Sequence, residues 1–222
     1  MMKWYERVDR ERPAVISSRI RLVRNWNQYV FPSRLTPDAG EEMIRQLKYG
    51  LRELGTADGR DYEYEDLQKL SELDKKALRE RRVINSTIAA KKTPAGLILS
   101  EEEDAGIVLN GTDHIRIQLL SAGMHLEELW KQADRIDDFI NEKFEYAFDE
   151  KYGYLTSFPT NMGTGLRASV VLHLPSLSMG KKFHGLTSEM SRFGATVRSV
   201  YGDENENYGA LYEVSNQKTL GI

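Results

Sequence analysis

Short stretches of the chain alternate between apolar and polar residues, the pattern of strands that bury one face. The clearest stretch runs from Ala14 to Asn25 and contains two alternating sets, Ile16, Ser18, Ile20 and Leu22 against Ser17, Arg19, Arg21 and Val23. The alternation places Arg19 and Arg21 on the same face. Two such neighbours repel each other unless an anion or a carboxylate lies between them. A solvated edge strand is the alternative interpretation.

Further segments are predicted to be strands because they are short, apolar or alternating, and bounded by turn residues. They are 96–100, 106–110, 115–120, 196–201 and 210–214. The dipeptide Asn110-Gly111 predicts a tight hairpin turn between the second and third of these strands. His114 and Arg116 are predicted to share a face at the start of the third strand.

Helices are predicted from apolar residues at three- and four-residue spacing and from capping residues. They cover 36–54, a segment after Ser71, 124–148 and 180–193. The basic run Arg79–Arg82 is interpreted as a solvated helix end. Together the helices and strands predict one α+β domain over residues 1–222, with a mainly antiparallel sheet flanked by helices.

Composition narrows the functional classes. The 222 residues carry a net charge of −3, which argues against a broad nucleic-acid-binding face. The chain has no cysteine, which excludes disulfides, zinc-thiolate sites and thiol nucleophiles. The charged N-terminus lacks the apolar core of a signal peptide, and no apolar run is long enough to span a membrane. We therefore expect a cytoplasmic protein.

The stretch Tyr154–Leu174 combines the turn Thr160–Gly165, which contains two glycines, with Arg167 and an apolar run. Glycines let backbone N–H groups approach a ligand closely, and the planar fork of an arginine suits phosphate. The lysine of a P-loop, GxxxxGK[ST], is missing. An unusual phosphate site and a structural hairpin with a surface arginine both remain open.

Five arginines lie in or beside predicted strands: Arg19, Arg21, Arg116, Arg167 and Arg198. If these strands belong to one sheet, the five side chains can point to one concave surface. Phosphoryl transfer depends mainly on positioning and on charge stabilisation, so converging arginines would suit a triphosphate. The order of the strands decides whether they converge.

Five segments carry a resemblance to a known family: SSRIRLVRN (17–25), DHIRIQ (113–118), YLTSFPTNMGTGLRASV (154–170), VRSVYGD (197–203) and YEVSNQKTLG (212–221). In this order they resemble the catalytic domain of the ATP:guanidino phosphotransferases, or phosphagen kinases, and most closely the bacterial protein-arginine kinases. The resemblance implies a guanidino-kinase-type fold that binds ATP through arginines. It also implies Mg²⁺ held by the phosphates, without dedicated protein ligands.

The resemblance further implies which residues form the site. The positions that match the family's nucleotide-binding residues are Ser18, Arg19, Arg21, Arg116, Arg167, Ala168, Ser169, Val170, Val171, Arg198, Tyr201, Gly202 and Asp203. Glu206 matches a carboxylate near the guanidinium substrate, which is expected to be an arginine of a protein. The attacking guanidinium nitrogen needs such a carboxylate to orient it and to accept its proton.

The chain departs from the family where the chemistry takes place. The family reads NEEDH at residues 110–114, and this chain has Thr112 at the position of the presumed catalytic base. Phe158 replaces a cysteine that faces the guanidinium. A nucleotide-contacting histidine is also missing, with Val83 at the best-fitting position. Asp113 is retained, but we expect its side chain to point to the other sheet face.

These observations leave three hypotheses. The chain is an active ATP-dependent kinase for a guanidinium, or a catalytically weak or dead homologue that acts as a nucleotide-binding regulator or scaffold, or a fold remnant whose arginines form only structural ion pairs. An activating zinc-binding adaptor and the Clp protease machinery are partners implied by resemblance alone. The helical C-terminal part of the family, which recognises phosphoarginine, is expected to be absent or truncated.

Overall fold

The computed structural model describes residues 2–179, 183–201 and 208–220. Its strands are β1 (Val15–Arg24), β2 (Tyr62–Asp66), β3 (Gly96–Ser100), β4 (Ala105–Leu109), β5 (Ile115–Ala122), β6 (Phe148–Asp149), β7 (Gly153–Tyr154), β8 (Leu166–His173), β9 (Ala195–Ser199) and β10 (Leu211–Asn216). Strands β6 and β7 form a small hairpin. The others form one sheet in the order β2-β3-β4-β5-β1-β8-β10-β9, and neighbouring strands are antiparallel throughout.

The helices are α1 (Pro37–Gly50), α2 (Gly55–Asp58), α3 (Glu72–Glu80), α4 (Ser86–Ala89), α5 (Leu126–Asn141), α6 (Pro175–Met179) and α7 (Phe183–Arg192). The hydroxyl of Thr36 accepts a hydrogen bond from the amide of Ala39 and so caps α1. Ser71 caps α3 in the same way through the amide of Asp74. The mixed architecture with a large antiparallel sheet confirms the predicted α+β fold class.

Helices cover both faces of the sheet, but one face only in part. Helices α1 and α5 pack on one face, over the larger apolar core that contains Leu22, Met43, Ile117 and Ile136. A smaller core around Val83 and Val108 covers the other face near β3 and β4. The part of this second face that lies over β5, β1, β8 and β10 carries polar side chains instead.

Three predicted boundaries differ from the structure. The first helix ends at Gly50 rather than near Leu54, and the chain turns before α2. The longest helix covers only 126–141 of the predicted 124–148, and Phe144 packs into the core beyond its end. The predicted 180–193 helix is described from Phe183 onward, and residues 180–182 lie outside the described ranges.

The alternation predicted for β1 is confirmed between Ser17 and Leu22, but not at Ile16. Ile20 and Leu22 are 2% and 0% exposed and belong to the larger core. Ile16 is 44% exposed, because the pairing with β8 shifts register between Val15 and Ser17. A β-bulge of this kind changes the direction of the side chains beyond it.

His114 lies just before β5 and does not extend it. The backbone amide of Trp26 donates to its Nδ1 at 3.1 Å, so the ring proton is on Nε2, which lies 2.9 Å from the carbonyl oxygen of Val30. The imidazole is fully buried. Burial lowers the pKa of His114 below its ordinary value of 6.5, although its neighbours partly oppose the shift.

We expect the neutral form of His114 to make the fold sensitive to acid. Below pH 6.5 the unfolded chain takes up a proton that the folded chain resists, so the free energy of unfolding falls as pH falls from 6.5 towards the lowered pKa. One histidine changes the free energy of unfolding by at most about 1.4 kcal/mol per pH unit. Urea unfolding between pH 7 and 5 measures it. His114→Gln should flatten the profile relative to the control His125→Gln, and equal slopes would contradict the assignment.

Candidate functional site

The five predicted arginines lie on one face of the sheet. Arg21 stands directly opposite Arg167 in the β1–β8 register, and Val23, which shares the face of Arg21, stands opposite Arg116 of β5. Arg198 of β9 stands opposite Glu213 of β10. Since cross-strand partners project to the same side, the sheet order brings together residues that are up to 179 positions apart in sequence. We call Arg19, Arg21, Arg116, Arg167 and Arg198 the arginine face.

Much of the hydrogen-bonding capacity of the arginine face is unused. The Nε atoms of Arg21, Arg116 and Arg167 are buried and have no partner among the described residues. Arg116 is only 5% exposed, and its Nη2 contacts the carbonyl oxygen of Val83 and Oε1 of Gln118 at 3.3 and 3.2 Å. Buried donors without acceptors cost free energy, so the arrangement favours an added anion.

The pKa shifts report the same excess of positive charge. Burial first, and the charges of Arg21 and Arg19 second, lower the pKa of Arg116 to about 9. Burial also lowers the pKa of Arg19 and Arg21 to about 10. The pKa of Arg167 is lowered by burial first and by Arg198 second. An anion placed among these side chains would oppose every one of these electrostatic shifts.

Three site residues, Arg82, Ser17 and Glu213, were missed by the sequence prediction. Arg82 was interpreted as part of a solvated helix end, which is wrong, because its guanidinium donates to Glu213 at 2.7 Å and to the hydroxyl of Ser17 at 3.0 Å. Its backbone reaches this position with a φ of +65°. The strand period alone could have found Ser17 and Glu213, but no pattern in the sequence signals the turn at Arg82.

Among the described residues, Glu213 is the carboxylate that contacts the arginine face directly. Its Oε1 accepts from Arg19 at 2.5 Å and from Arg82 at 2.7 Å. Burial alone would raise the pKa of Glu213, but the charges of Arg19 and Arg82 hold it below the ordinary value. Glu213 therefore neutralises one end of the arginine face, while Arg21, Arg116 and Arg167 lie beyond its contacts.

The other predicted nucleotide-binding residues separate into two groups. Ser169 and Val171 stand opposite Arg19 and Ser17, on the arginine face. Ser18, Ala168 and Val170 alternate with them and point to the opposite face, as the larger core shows by packing against Ala168. The hydroxyl of Ser18 accepts from the amide of His125, just before α5. The side chains of these three residues therefore lie away from the arginine face.

An apolar groove adjoins the arginine face. Its volume is about 310 Å³, and its lining includes Ser17, Arg82 and Val171, which lie next to the arginine face. The predicted site residue Tyr201 forms part of its wall and is 39% exposed. The predictions for Gly202, Asp203 and Glu206 fall outside the described residues.

The glycine turn serves the fold rather than a ligand. Gly163 and Gly165 have positive φ values of 104° and 62°. A Cβ on Gly163 would lie 2.6 Å from the carbonyl oxygen of Thr219. The amides of Gly163 and Thr164 donate to carbonyl oxygens of Tyr154 and Thr219. These two amides are engaged within the fold, which favours the structural interpretation of the turn.

Arg24 holds the turn against the opposite face of the sheet. It is 2% exposed, its Nη2 donates to Asp137 of α5 at 2.6 Å, and its Nη1 donates to the carbonyl oxygen of Thr164 at 3.0 Å. The guanidinium carbon lies 3.7 Å from the ring centre of Tyr154. These contacts fix the start of β8, where Arg167 projects to the arginine face.

Substitution of Gly165 tests this close packing. A Cβ there would lie 2.6 Å from both Nη1 of Arg24 and the carbonyl oxygen of Val23, whereas a Cβ at Gly59, with a similar φ of +77°, meets nothing within 4 Å. Gly59→Ala should lower the free energy of unfolding by about 1 kcal/mol through backbone strain alone. Gly165→Ala should lower the free energy of unfolding by about 1–3 kcal/mol more than Gly59→Ala does, because the added Cβ also clashes with its neighbours. Equal costs in urea unfolding would contradict the packing argument.

Asp113 lies in the β4–β5 turn and is engaged through one carboxylate oxygen, while its buried Oδ2 has no partner among the described residues. Asp113 is fully buried, and its Oδ1 accepts from Asn25 Nδ2 and from the amide of Ser157 at 2.8 and 2.7 Å. Thr112 is partly buried, and Phe158 is 52% exposed. Val83, the expected position of the missing histidine, belongs to the smaller core, so Arg82 rather than Val83 faces the site.

Comparisons with known proteins agree with this geometry. The family model of the ATP:guanido phosphotransferase C-terminal catalytic domain matches residues 42–222. A protein-arginine kinase of Caldanaerobacter subterraneus subsp. tengcongensis is 37% identical over 211 residues, which are 95% of this chain and 63% of the relative. One from Clostridium acetobutylicum is 38% identical over 223 residues, covering 100% of this chain and 65% of the relative. The chain thus spans somewhat under two thirds of the length of these curated relatives.

Solved structures show the same fold. A duplicated taurocyamine kinase from Schistosoma mansoni with bound transition-state-analogue components superimposes with a TM-score of 0.81 and 24% identity, over 95% of this chain and 30% of that chain. Lombricine kinase gives a TM-score of 0.76 at 24% identity, over 94% and 60% of the two chains. Within the described part of the chain, no helix is long and apolar enough to cross a membrane.

Proposed function

Because the chain belongs to the ATP:guanido phosphotransferase family, we propose that it binds Mg-ATP on the arginine face and transfers the γ-phosphoryl group to an arginine of a protein. Residues 1–222 would form one catalytic domain. The protein substrate is suggested by the relatives, which are named protein-arginine kinases. A cytoplasmic location fits this chemistry, because ATP and most protein substrates are available there.

The buried Nε donors that have no acceptor among the described residues carry the proposal. Arg21, Arg116 and Arg167 each have a buried Nε without an acceptor among the described residues. A polyphosphate supplies acceptor oxygens and negative charge at the same place, and charge-assisted hydrogen bonds of this kind are strong. A structural role alone would pair these groups with carboxylates, as Asp137 pairs with Arg24 on the opposite face.

The arginines would act mainly by stabilising charge. In the transfer, the bond between the γ-phosphorus and the bridging oxygen of ADP breaks and a phosphorus–nitrogen bond to the substrate guanidinium forms. The guanidinium nitrogen loses one proton, which a base must accept. Glu206 is our candidate for that base. Thr112 occupies the position at which the family carries a glutamate, the presumed catalytic base. Mg²⁺ would be held by phosphate oxygens and would neutralise part of their charge.

A second candidate function is nucleotide binding with weak or no turnover, as a regulator or scaffold. One observation favours it: Asp113, the carboxylate nearest the altered turn, is buried and engaged with Asn25 and Ser157. Asp113 is therefore poorly placed to replace the glutamate that the family carries at Thr112. A zinc-binding adaptor and the Clp machinery would be partners in either case, by family resemblance only.

Calorimetry with Mg-ATP tests nucleotide binding. Arg167→Ala should weaken binding at least about tenfold, since a hydrogen bond to a charged group is worth about 1.5–3 kcal/mol. Arg45→Ala is the matched control, because the Arg45 side chain is 76% exposed on α1 and lies in a different part of the sequence and fold. If the wild-type chain binds neither ATP nor ADP, the arginine face has no nucleotide role.

Mass spectrometry without acid treatment tests turnover. Incubation with Mg-ATP and an arginine-rich protein should yield phosphoarginine if the chain is an active kinase. Loss of one acid–base group costs about 10²–10⁴-fold in rate, so Thr112→Glu combined with Phe158→Cys should raise a weak activity. Product from the double variant but not from the wild type would support the second candidate. If neither the wild type nor the double variant forms phosphoarginine although the chain binds ATP, nucleotide binding without turnover would be the function of this chain.

A further inference from the structure

The N-terminal segment Trp4–Arg7 forms one wall of the apolar groove beside the arginine face. Trp4, Tyr5 and Arg7 line the groove on this side, while Ser17, Arg82 and Val171 line the side next to the arginines. The groove and the arginine face are therefore continuous. A ligand that places anionic groups among the arginines can extend its remaining part against this segment.

The segment is held in place by several contacts with the loop between β3 and β4. The amide of Trp4 donates to the carbonyl oxygen of Glu102 at 3.1 Å, and Nζ of Lys3 donates to that of Glu101 at 2.6 Å. Arg7 forms an ion pair with the side chain of Glu102. Trp4 is 6% exposed, whereas Tyr5 is 39% exposed. Trp4 thus anchors the segment, and Tyr5 presents accessible ring surface.

The position of Tyr5 links the segment to the end of α3. Its ring packs edge-on against Trp4 with centroids 5.8 Å apart, and the guanidinium carbon of Arg81 lies 5.6 Å from its ring centre. Arg81 immediately precedes Arg82, which contacts Glu213 and Ser17. The aromatic wall therefore lies next to an arginine that reaches into the site.

We infer that Tyr5 is a specificity-determining residue that contacts the nucleobase of the bound nucleotide. This inference rests on the proposed function and deepens it. The occupant follows from the groove itself: its volume of about 310 Å³ lies at the small end of ligand pockets. Its lining is largely apolar and aromatic, and it opens onto a face that suits phosphates. A flat aromatic base joined to a polyphosphate matches both parts.

The test compares Mg-ATP with Mg-tripolyphosphate, which has no base, by calorimetry on the 222-residue chain. Tyr5→Ala should weaken ATP binding about tenfold, the scale of losing one base–aromatic stack, and should leave tripolyphosphate binding within about twofold of wild type. Tyr5→Phe should restore ATP binding. Tyr152→Ala is the matched control, since Tyr152 is 43% exposed and lies on the β6–β7 hairpin. Thermal melting confirms that each variant is folded.

The outcomes separate this inference from the proposed function. If Tyr5→Ala weakens both ligands equally, or weakens neither, Tyr5 does not contact the base. If wild-type protein binds tripolyphosphate as tightly as ATP, the groove contributes nothing, and the inference fails while the phosphate site stands. If the wild type binds neither ligand, the proposed function fails and the inference fails with it.

Discussion

The repulsion between Arg21 and Arg167 is the constraint on which the rest of the site depends. The two residues are cross-strand partners at the centre of the sheet, so their Cβ atoms are about 5 Å apart. Like charges in that position destabilise a sheet. The fold tolerates the pair because both strands pack on the opposite face, where Ile20 and Leu22 of β1 belong to the larger core and Ala168 of β8 packs against it.

The distribution of carboxylates around this pair determines where positive charge remains in the site. On the opposite face, Arg24 forms an ion pair with Asp137. At one end of the arginine face, Glu213 forms ion pairs with Arg19 and Arg82. Among the described residues, Arg21, Arg116 and Arg167 form no ion pair of this kind, and burial and neighbouring arginines lower their pKa values. Within the described part of the chain, some arginines are paired closely with carboxylates while their neighbours are not, and such a surface suits a polyanion better than a set of structural ion pairs does.

Much of this could be predicted from the sequence, because it depends on local patterns. Period-two alternation places Arg19 and Arg21 on one face, and capping residues locate the starts of α1 and α3. The residues that escaped prediction depend on long-range geometry. Arg82 reaches the site through a positive φ at a helix end. Gly163 is required by its close approach to Thr219, which is distant in sequence, and Gly165 by its close approach to Val23 of β1. Strand β2 was also missed, since its alternating Tyr and Glu residues lie at a sheet edge with little burial.

Under the proposed function, binding and turnover would depend on different parts of this fold, so one could change without the other. The arginine positions are set by strand register across β5, β1, β8 and β9, and register is specified over the whole length of each strand. Thr112 and Asp113 lie instead in the short turn between β4 and β5, outside the paired positions that include Arg116 and Val23. Under the proposed function, the altered turn would affect proton transfer, while the strands that carry the arginines would hold the anion. Family membership and an intact arginine face argue for nucleotide binding more directly than for catalysis.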